Sequence, residues 1–346
     1  MKEILGWAFL IVFCLFILAA FIFGESAAER EQSELARTQK AAIRGDAGAQ
    51  FFLAQRYYEG RGVEQDYIRA FEWYEKAAEQ GIVRAQAILG SMYYRGEGVE
   101  KDYVRAFQWF EKAAEQGNDF AQGNLGWMYS RGDGVEQDYA LAFEWYEKAA
   151  DRRNANAQNS LGVMYSRGKG VEQDYVRAFQ WFEKAARRNA YAQYNLGGMY
   201  YEGKGVDQDY VRALQWFEKA ANQDHAGAQF SLGRMYYREE GVDRDYVVAR
   251  QWCEKAANQG HARAQYNLGV MYQTGLGGVR DDVLAVQWFE KAAEQGYSMA
   301  QSGLGRMYYH GEGVSRDREK GCALLREAAE QNDSRAIEEY NQNCSD

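Results

Sequence analysis

The sequence predicts an all-α protein, an α-solenoid of stacked helical hairpins in about eight units of 36 residues, following one N-terminal apolar helix. Two periodic signals predict it. The dipeptide Ala-Gln recurs with its glutamine at positions 50, 86, 122, 158, 193, 229, 265 and 301, a spacing of 36 broken once by 35 in the loop near Arg188. Tryptophan recurs in step at 73, 109, 145, 181, 216, 252 and 288, each followed three residues later by Lys-Ala-Ala. Composition agrees: 346 residues, 47% hydrophobic, 26% charged and without proline, make a globular chain, neither collagenous nor disordered. A net charge of −9 disfavours nucleic acid as a partner, because a polyanion would be repelled on average.

The first element is residues 4–23, which carry no charge and would reach roughly 30 Å as a helix, enough to span a bilayer. Residues 1–24 therefore read as a transmembrane signal anchor, or as a signal peptide cleaved near Ser26 and Ala28; the length of the apolar run favours the uncleaved anchor. The basic residues Arg30, Arg37 and Lys40 after the span argue for a cytoplasmic repeat domain. A very short tail ahead of a first span argues the other way, and the acidic residues among them offset the charge. The expectation is a single-pass protein of a bacterial inner membrane with its repeats exported to the periplasm. Residues 25–45 form a linker and a capping helix, at about residues 34–44.

Each repeat between residues 46 and 332 reads as two short helices, A and B, joined by a glycine turn. In the second copy, helix A carries Leu89, Met92 and Tyr93 at helical spacing, Gly96 suits a left-handed C-terminus, and Gly98 loosens the turn. Asp102 can cap helix B, whose stripe is Ala106, Trp109 and Ala113, with Glu111 and Lys112 facing solvent. One such hairpin cannot enclose a core, so the stripes must be buried between neighbouring copies. The ends differ accordingly: Arg37 and Leu324 stand in the tryptophan column, and residues 333–346 supply a C-terminal capping helix and tail.

The pattern Ala-Gln-x-x-Leu-Gly-x-Met-Tyr-x-x-Gly-x-Gly-Val-x-x-Asp-Tyr-x-x-Ala-x-x-Trp-x-x-Lys-Ala-Ala closely resembles the Sel-one-like repeat family over about residues 46–332. The resemblance implies hairpins stacked in a right-handed superhelix whose A helices line a concave groove that binds other proteins. The chain departs from the pattern at Glu239 in place of a turn glycine, Gly278 in the valine column, and Asp282 and Arg318 in place of tyrosine. These departures read either as drift in surface loops or as a special loop surface in the sixth and seventh turns.

Positions demanded by stacking should be uniform among copies, and positions released from it should vary. The varying columns of helix A give a candidate partner-binding groove: Arg84, Phe120, Trp127, Tyr191, Tyr194, Phe230, Arg234, Arg263 and Tyr266. Trp127 is the one tryptophan outside both the apolar segment and the structural column. Aromatics interleaved with arginines suit a protein or peptide segment bearing carboxylates and apolar anchors; the competing reading is packing between adjacent A helices. The expected function is a membrane-tethered interaction scaffold or adaptor, with self-association through the groove as a narrower variant.

Little in the chain points to catalysis. His225, His261 and His310 are its only histidines, and the first two share a register in adjacent copies, roughly 10 Å apart and too far for a common metal. There is no nucleophile elbow, phosphate loop or zinc-protease motif, so no cofactor, metal or catalytic residue is expected. Cysteine-rich relatives of the repeat family suggest an alternative, an envelope enzyme acting on β-lactams or peptidoglycan, but the paired cysteines in each repeat are missing here. Cys14 lies in the apolar segment, leaving Cys253, Cys322 and Cys344. Cys322 and Cys344 flank Asn332 at ten and twelve residues, so a terminal hairpin could bring them level and let them form a disulfide in an oxidising compartment.

Overall fold

The computed structural model describes residues 27–344. Residues 4–23, the predicted apolar helix, lie outside the described residues; among those described, no helix is long and apolar enough to cross a membrane. The described chain holds 18 helices and no strand, and falls into two compact units, one ending at Asn154 and the other beginning at Ala155.

The first unit opens with α1 (Ala27–Ile43), longer than predicted, and continues as hairpins α2 (Ala47–Glu59) with α3 (Tyr67–Glu79), α4 (Val83–Arg95) with α5 (Tyr103–Glu115), and α6 (Asp119–Arg131) with α7 (Tyr139–Asp151). The second contains α8 (Ala155–Arg167), α9 (Tyr175–Ala185), α10 (Ala190–Glu202), α11 (Tyr210–Ala221), α12 (Ala226–Arg238), α13 (Tyr246–Asn258), α14 (Ala262–Thr274), α15 (Asp282–Ala293), α16 (Ser298–His310), α17 (Arg318–Glu330) and a closing α18 (Ser334–Asn343). Each unit is thus a run of A–B hairpins in an α-solenoid.

The boundaries follow from local chemistry. Asp102 accepts from the Arg105 N–H at 3.0 Å and so caps α5; aspartates 66, 138, 174, 209, 245, 281 and 317 do the same for the other B helices. Gly96 ends α4 in the left-handed region, its N–H returning to the Met92 carbonyl at 2.8 Å. Gly98 does more than loosen the turn. It has φ of 71°, and a Cβ there would overlap the carbonyl oxygen of Tyr67 at the start of the preceding B helix. The second turn glycine therefore lets one hairpin seat on the last.

The core corrects one expectation. Trp109 is only half-buried; the side chain sealed between helices is its neighbour Phe110, 1% exposed, together with Ala106, Ala113 and Ala114. Equivalent positions hold Tyr74, Tyr146, Phe182, Phe217, Cys253, Phe289 and Leu325, all buried. Each aromatic ring in the α5, α7, α9, α11 and α15 series faces the glycine of the Leu-Gly pair in its own A helix, where a Cβ would come within 2.5–2.8 Å. The tryptophans instead lie under the lysine of Lys-Ala-Ala, with Nζ 3.8–4.3 Å from the ring centroid in all seven copies.

The Ala-Gln marker proves to be a buried ladder. Gln86 donates through Nε2 to the Ala78 carbonyl at 3.2 Å and accepts through Oε1 from Gln116 Nε2 at 2.8 Å, linking the B helix behind to the B helix of its own hairpin. Glutamines 50, 193, 229, 265 and 301 accept in the same way from the glutamine thirty residues on, at 2.6–2.7 Å. Burying so polar a residue is tolerated because its amide is satisfied at both ends.

The departures from the repeat pattern resolve as substitutions within an unchanged frame. Glu239 adopts the left-handed conformation of the glycine it replaces, at φ 63°, and pairs with Arg244 at 3.2 Å. Gly278 leaves room for Arg250, whose guanidinium lies 3.9 Å from the Tyr272 ring centroid and fills space that a side chain at 278 would occupy. The single 35-residue spacing shortens the link between α9 and α10, which has no left-handed residue where other B-to-A links have one. Cys322 and Cys344 are joined in a disulfide, Cα to Cα 5.6 Å, tying α17 to the end of α18.

Candidate functional site

The variable columns lie on the A helices, and within each unit the aromatic members contact neighbouring hairpins. In the first unit Arg84 is exposed and Phe120, 46% exposed, packs edge-on to Phe110 with centroids 6.2 Å apart. Trp127, also 46% exposed, donates from Nε1 to the Tyr94 hydroxyl at 2.9 Å, and that hydroxyl donates to Asp133 at 2.9 Å. Arg131 covers the indole at 5.2 Å and pairs with the same Asp133 at 3.0 Å. Trp127 is therefore packed on its neighbour, as the competing reading expected, while remaining 46% exposed.

In the second unit the aromatic column stacks on the N-cap of the following A helix. Tyr194 lies parallel to His225 at 4.6 Å, Tyr191 meets the same imidazole edge-on at 4.8 Å, and Phe230 stacks on His261 at 4.7 Å. Each imidazole caps its helix, Nδ1 accepting from the N–H of Ala228 at 3.1 Å or Ala264 at 3.2 Å. That role needs the neutral ring, and burial pushes both histidines below their ordinary pKa. Among the described residues no three His, Cys, Asp or Glu side chains are grouped so as to hold a metal.

Four predicted residues, Phe230, Arg234, Arg263 and Tyr266, are brought together around one cavity of about 330 Å³ between α12 and α14. Arg234 lies over the Tyr201 ring at 4.6 Å, and its buried Nε has no hydrogen-bond partner. No carboxylate lines this cavity, while three arginines do, of which Arg238 pairs with Glu240 outside the lining. Tyr266 also borders a second cavity of about 700 Å³, with Met299, Arg306, Arg335 and the buried Ser302, whose hydroxyl is unpartnered. Arg84, Phe120 and Trp127 belong to the other unit, and Tyr191 and Tyr194 sit one hairpin earlier than the first cavity.

Sequence reasoning missed Cys253, Arg238, Arg306 and Arg335 as cavity-lining groups. The signal for Cys253 was present, since it stands where six of the eight copies have an aromatic residue; its meaning depended on knowing that this column, and not the tryptophan, is buried.

The fold defines a class: an α-solenoid of helical hairpins, a kind of repeat that generally mediates protein–protein interaction and is generally non-catalytic. The chain belongs to the Sel1 repeat family, with matches over residues 47–82, 83–118, 119–154, 155–189, 190–225, 226–261, 262–297 and 298–333. It is similar to a protective antigen of uropathogenic Escherichia coli that displays an SLR fold, at 38% identity and TM-score 0.74, over 88% of this chain and 66% of that one. It is also similar to a Sel1 repeat protein from Oxalobacter formigenes, at 35% identity and TM-score 0.68, over 93% of each chain. The chain thus spans about two thirds of the E. coli antigen. No curated protein matches it.

Proposed function

We propose that this protein is a membrane-tethered scaffold or adaptor that holds a peptide or protein segment in the groove lined by its A helices. The observation that carries the reading is the carboxylate-free cavity in the second unit, where Phe230 and Tyr266 supply apolar rings and Arg234 and Arg263 supply unneutralised charge. Trp127 and Phe120 give the first unit an exposed aromatic surface of its own. Residues 4–23 are the tether, and residues 25–45, 46–332 and 333–346 are the linker with its cap, the repeats and the closing cap. The Cys322–Cys344 disulfide supports an exported repeat domain, because such bonds persist in oxidising compartments.

The test is affinity capture from detergent-solubilised membranes with full-length protein and with a Trp127→Ala, Arg234→Glu double variant. A protein retained by the first and lost by the second, with the variant's circular dichroism unchanged, supports the reading. Equal capture by both baits refutes it. If the captured species is the chain itself, light scattering will show the self-associated form. Export is checked separately: an inactive alkaline phosphatase fused after Asp346 in a bacterial host would overturn it.

A further inference from the structure

In the sixth hairpin, Cys253 leaves a space that a ring fills elsewhere. The seventh hairpin shows what the ring touches: Phe289 packs on Tyr266 at 5.6 Å and lies against Gly269 of its own A helix, and a Cβ on Gly303 of the next one would meet the ring at 3.5 Å. The corresponding residues around Cys253 are Phe230, Gly233 and Asn267, and all three line the 330 Å³ cavity. Sγ takes the place of the first ring carbons, lying 2.7 Å from where a Cβ on Gly233 would be, and the rest of the ring has no counterpart. With Met271 also in its wall, the cavity forms a socket beside Cys253. Around it stand Arg234, Arg238 and Arg263 and no acidic side chain; only Arg238 has a carboxylate partner, Glu240 at 3.8 Å.

We propose that this socket receives one aromatic side chain of a partner protein, whose adjacent carboxylate is met by Arg234 and Arg263. The inference rests on the reading of the A face as a partner site and names the chemistry of what that site takes. The ring would replace contacts that the other hairpins make internally, burying apolar surface against Phe230, Met271 and the thiol. The carboxylate would supply an acceptor for the unpartnered Nε of Arg234 and for Arg263, making the hydrogen bonds charge-assisted.

The experiment uses full-length protein in detergent, labelled at the methionine methyls, and follows the Met271 methyl resonance while N-acetyl-phenylalaninate is added. A saturable shift is expected, weaker by about tenfold with N-acetyl-phenylalaninamide, which lacks the charge, and reduced to the amide's level in an Arg234→Gln, Arg263→Gln variant. Cys253→Phe restores the side chain of neighbouring hairpins and should abolish the shift without lowering the melting temperature. Cys253→Leu, matching Leu325 of the eighth hairpin, serves the same purpose if the phenylalanine does not fit. No saturable shift in the wild type, or an equal shift in a folded Cys253→Phe protein, would overturn the proposal. Because the capture experiment depends on Trp127 and Arg234 jointly, repeating it with Cys253→Phe separates the two ideas. Capture kept by Cys253→Phe overturns the socket and leaves the scaffold standing. A saturable Met271 shift with capture indifferent to both variants overturns the scaffold reading alone.

Discussion

The glutamine ladder has a missing rung, and filling it should stabilise the protein. Gln122 donates to the Ala114 carbonyl at 3.2 Å like its counterparts, but its buried Oε1 has no partner, because the residue thirty positions on is Arg152 where six other copies have glutamine. The backbone at Arg152, φ −88° and ψ 14°, is nearly that of Gln116 at −83° and 8°, so Arg152→Gln needs no rearrangement to reach. A net hydrogen bond contributes about 1 kcal/mol, and relieving a buried unsatisfied acceptor adds about 1 kcal/mol more. Losing the contact of the Arg152 guanidinium with Gly117 offsets some tenths, which leaves roughly 1.5 kcal/mol. Solenoids unfold by parts, so the assay is native-state hydrogen exchange of peptides from α6 and α7, where about 1 kcal/mol slows exchange roughly fivefold. The mirror change, Gln116→Arg, should orphan Gln86 Oε1 and speed exchange in α4 and α5 by a similar factor. Unchanged exchange in both variants would refute the ladder as an energetic feature.

Other expectations follow from the same geometry. Gly98→Ala forces a Cβ into the Tyr67 carbonyl and should cost at least about 3 kcal/mol, whereas Gly96→Ala, whose Cβ meets nothing nearer than 3.4 Å, should cost about 1 kcal/mol; urea titration compares them. Arg153, at φ 64° where most of the other links have glycine, should give up about 1 kcal/mol of strain as Arg153→Gly, read as a higher melting temperature. His225 and His261 have depressed pKa values in the folded state, so their caps are fully in place above the unfolded value near 6.5 and weaken as pH falls through the folded one. Melting temperature should therefore drop between about pH 7 and 5, and a His225→Asn, His261→Asn protein should show a flatter profile. Burial pushes the Cys253 thiol up to about 12, which leaves almost no thiolate at neutral pH, so it should alkylate slowly in the native protein. Unfolding without reductant should then free Cys253 for labelling, and reduction should add Cys322 and Cys344; fast labelling of Cys253 in the native protein would contradict the raised pKa.

Much of this fold is local and was legible. The period of 36, the aspartate caps and the left-handed glycines are set by neighbours within a few residues, and the helices fall where those signals put them. The candidate face was legible as a set of columns, because release from stacking leaves a mark in one sequence that repeats itself. What could not be read was which aromatic of the Trp-Phe or Trp-Tyr pair is buried. Trp109 and Phe110 are adjacent on one helix, about 100° apart, and both border the alanine stripe. Phe110 is chosen because Gly90, twenty residues earlier, opens a cleft on its side, and Trp109 is left to Lys112.

The same distinction explains the site. By itself the sequence determined the number of hairpins, their caps and turns, and the columns free to vary, since each depends on dihedral preferences and hydrogen bonds inside one repeat. Only the tertiary structure decided that Ala-Gln is a ladder, that Gly98 is a point of contact, and that Cys253, Arg234 and Arg263 line one cavity. These depend on atoms some 20 to 40 residues apart meeting at van der Waals distance, and close packing, unlike helix propensity, is a property of pairs that no single stretch of chain contains.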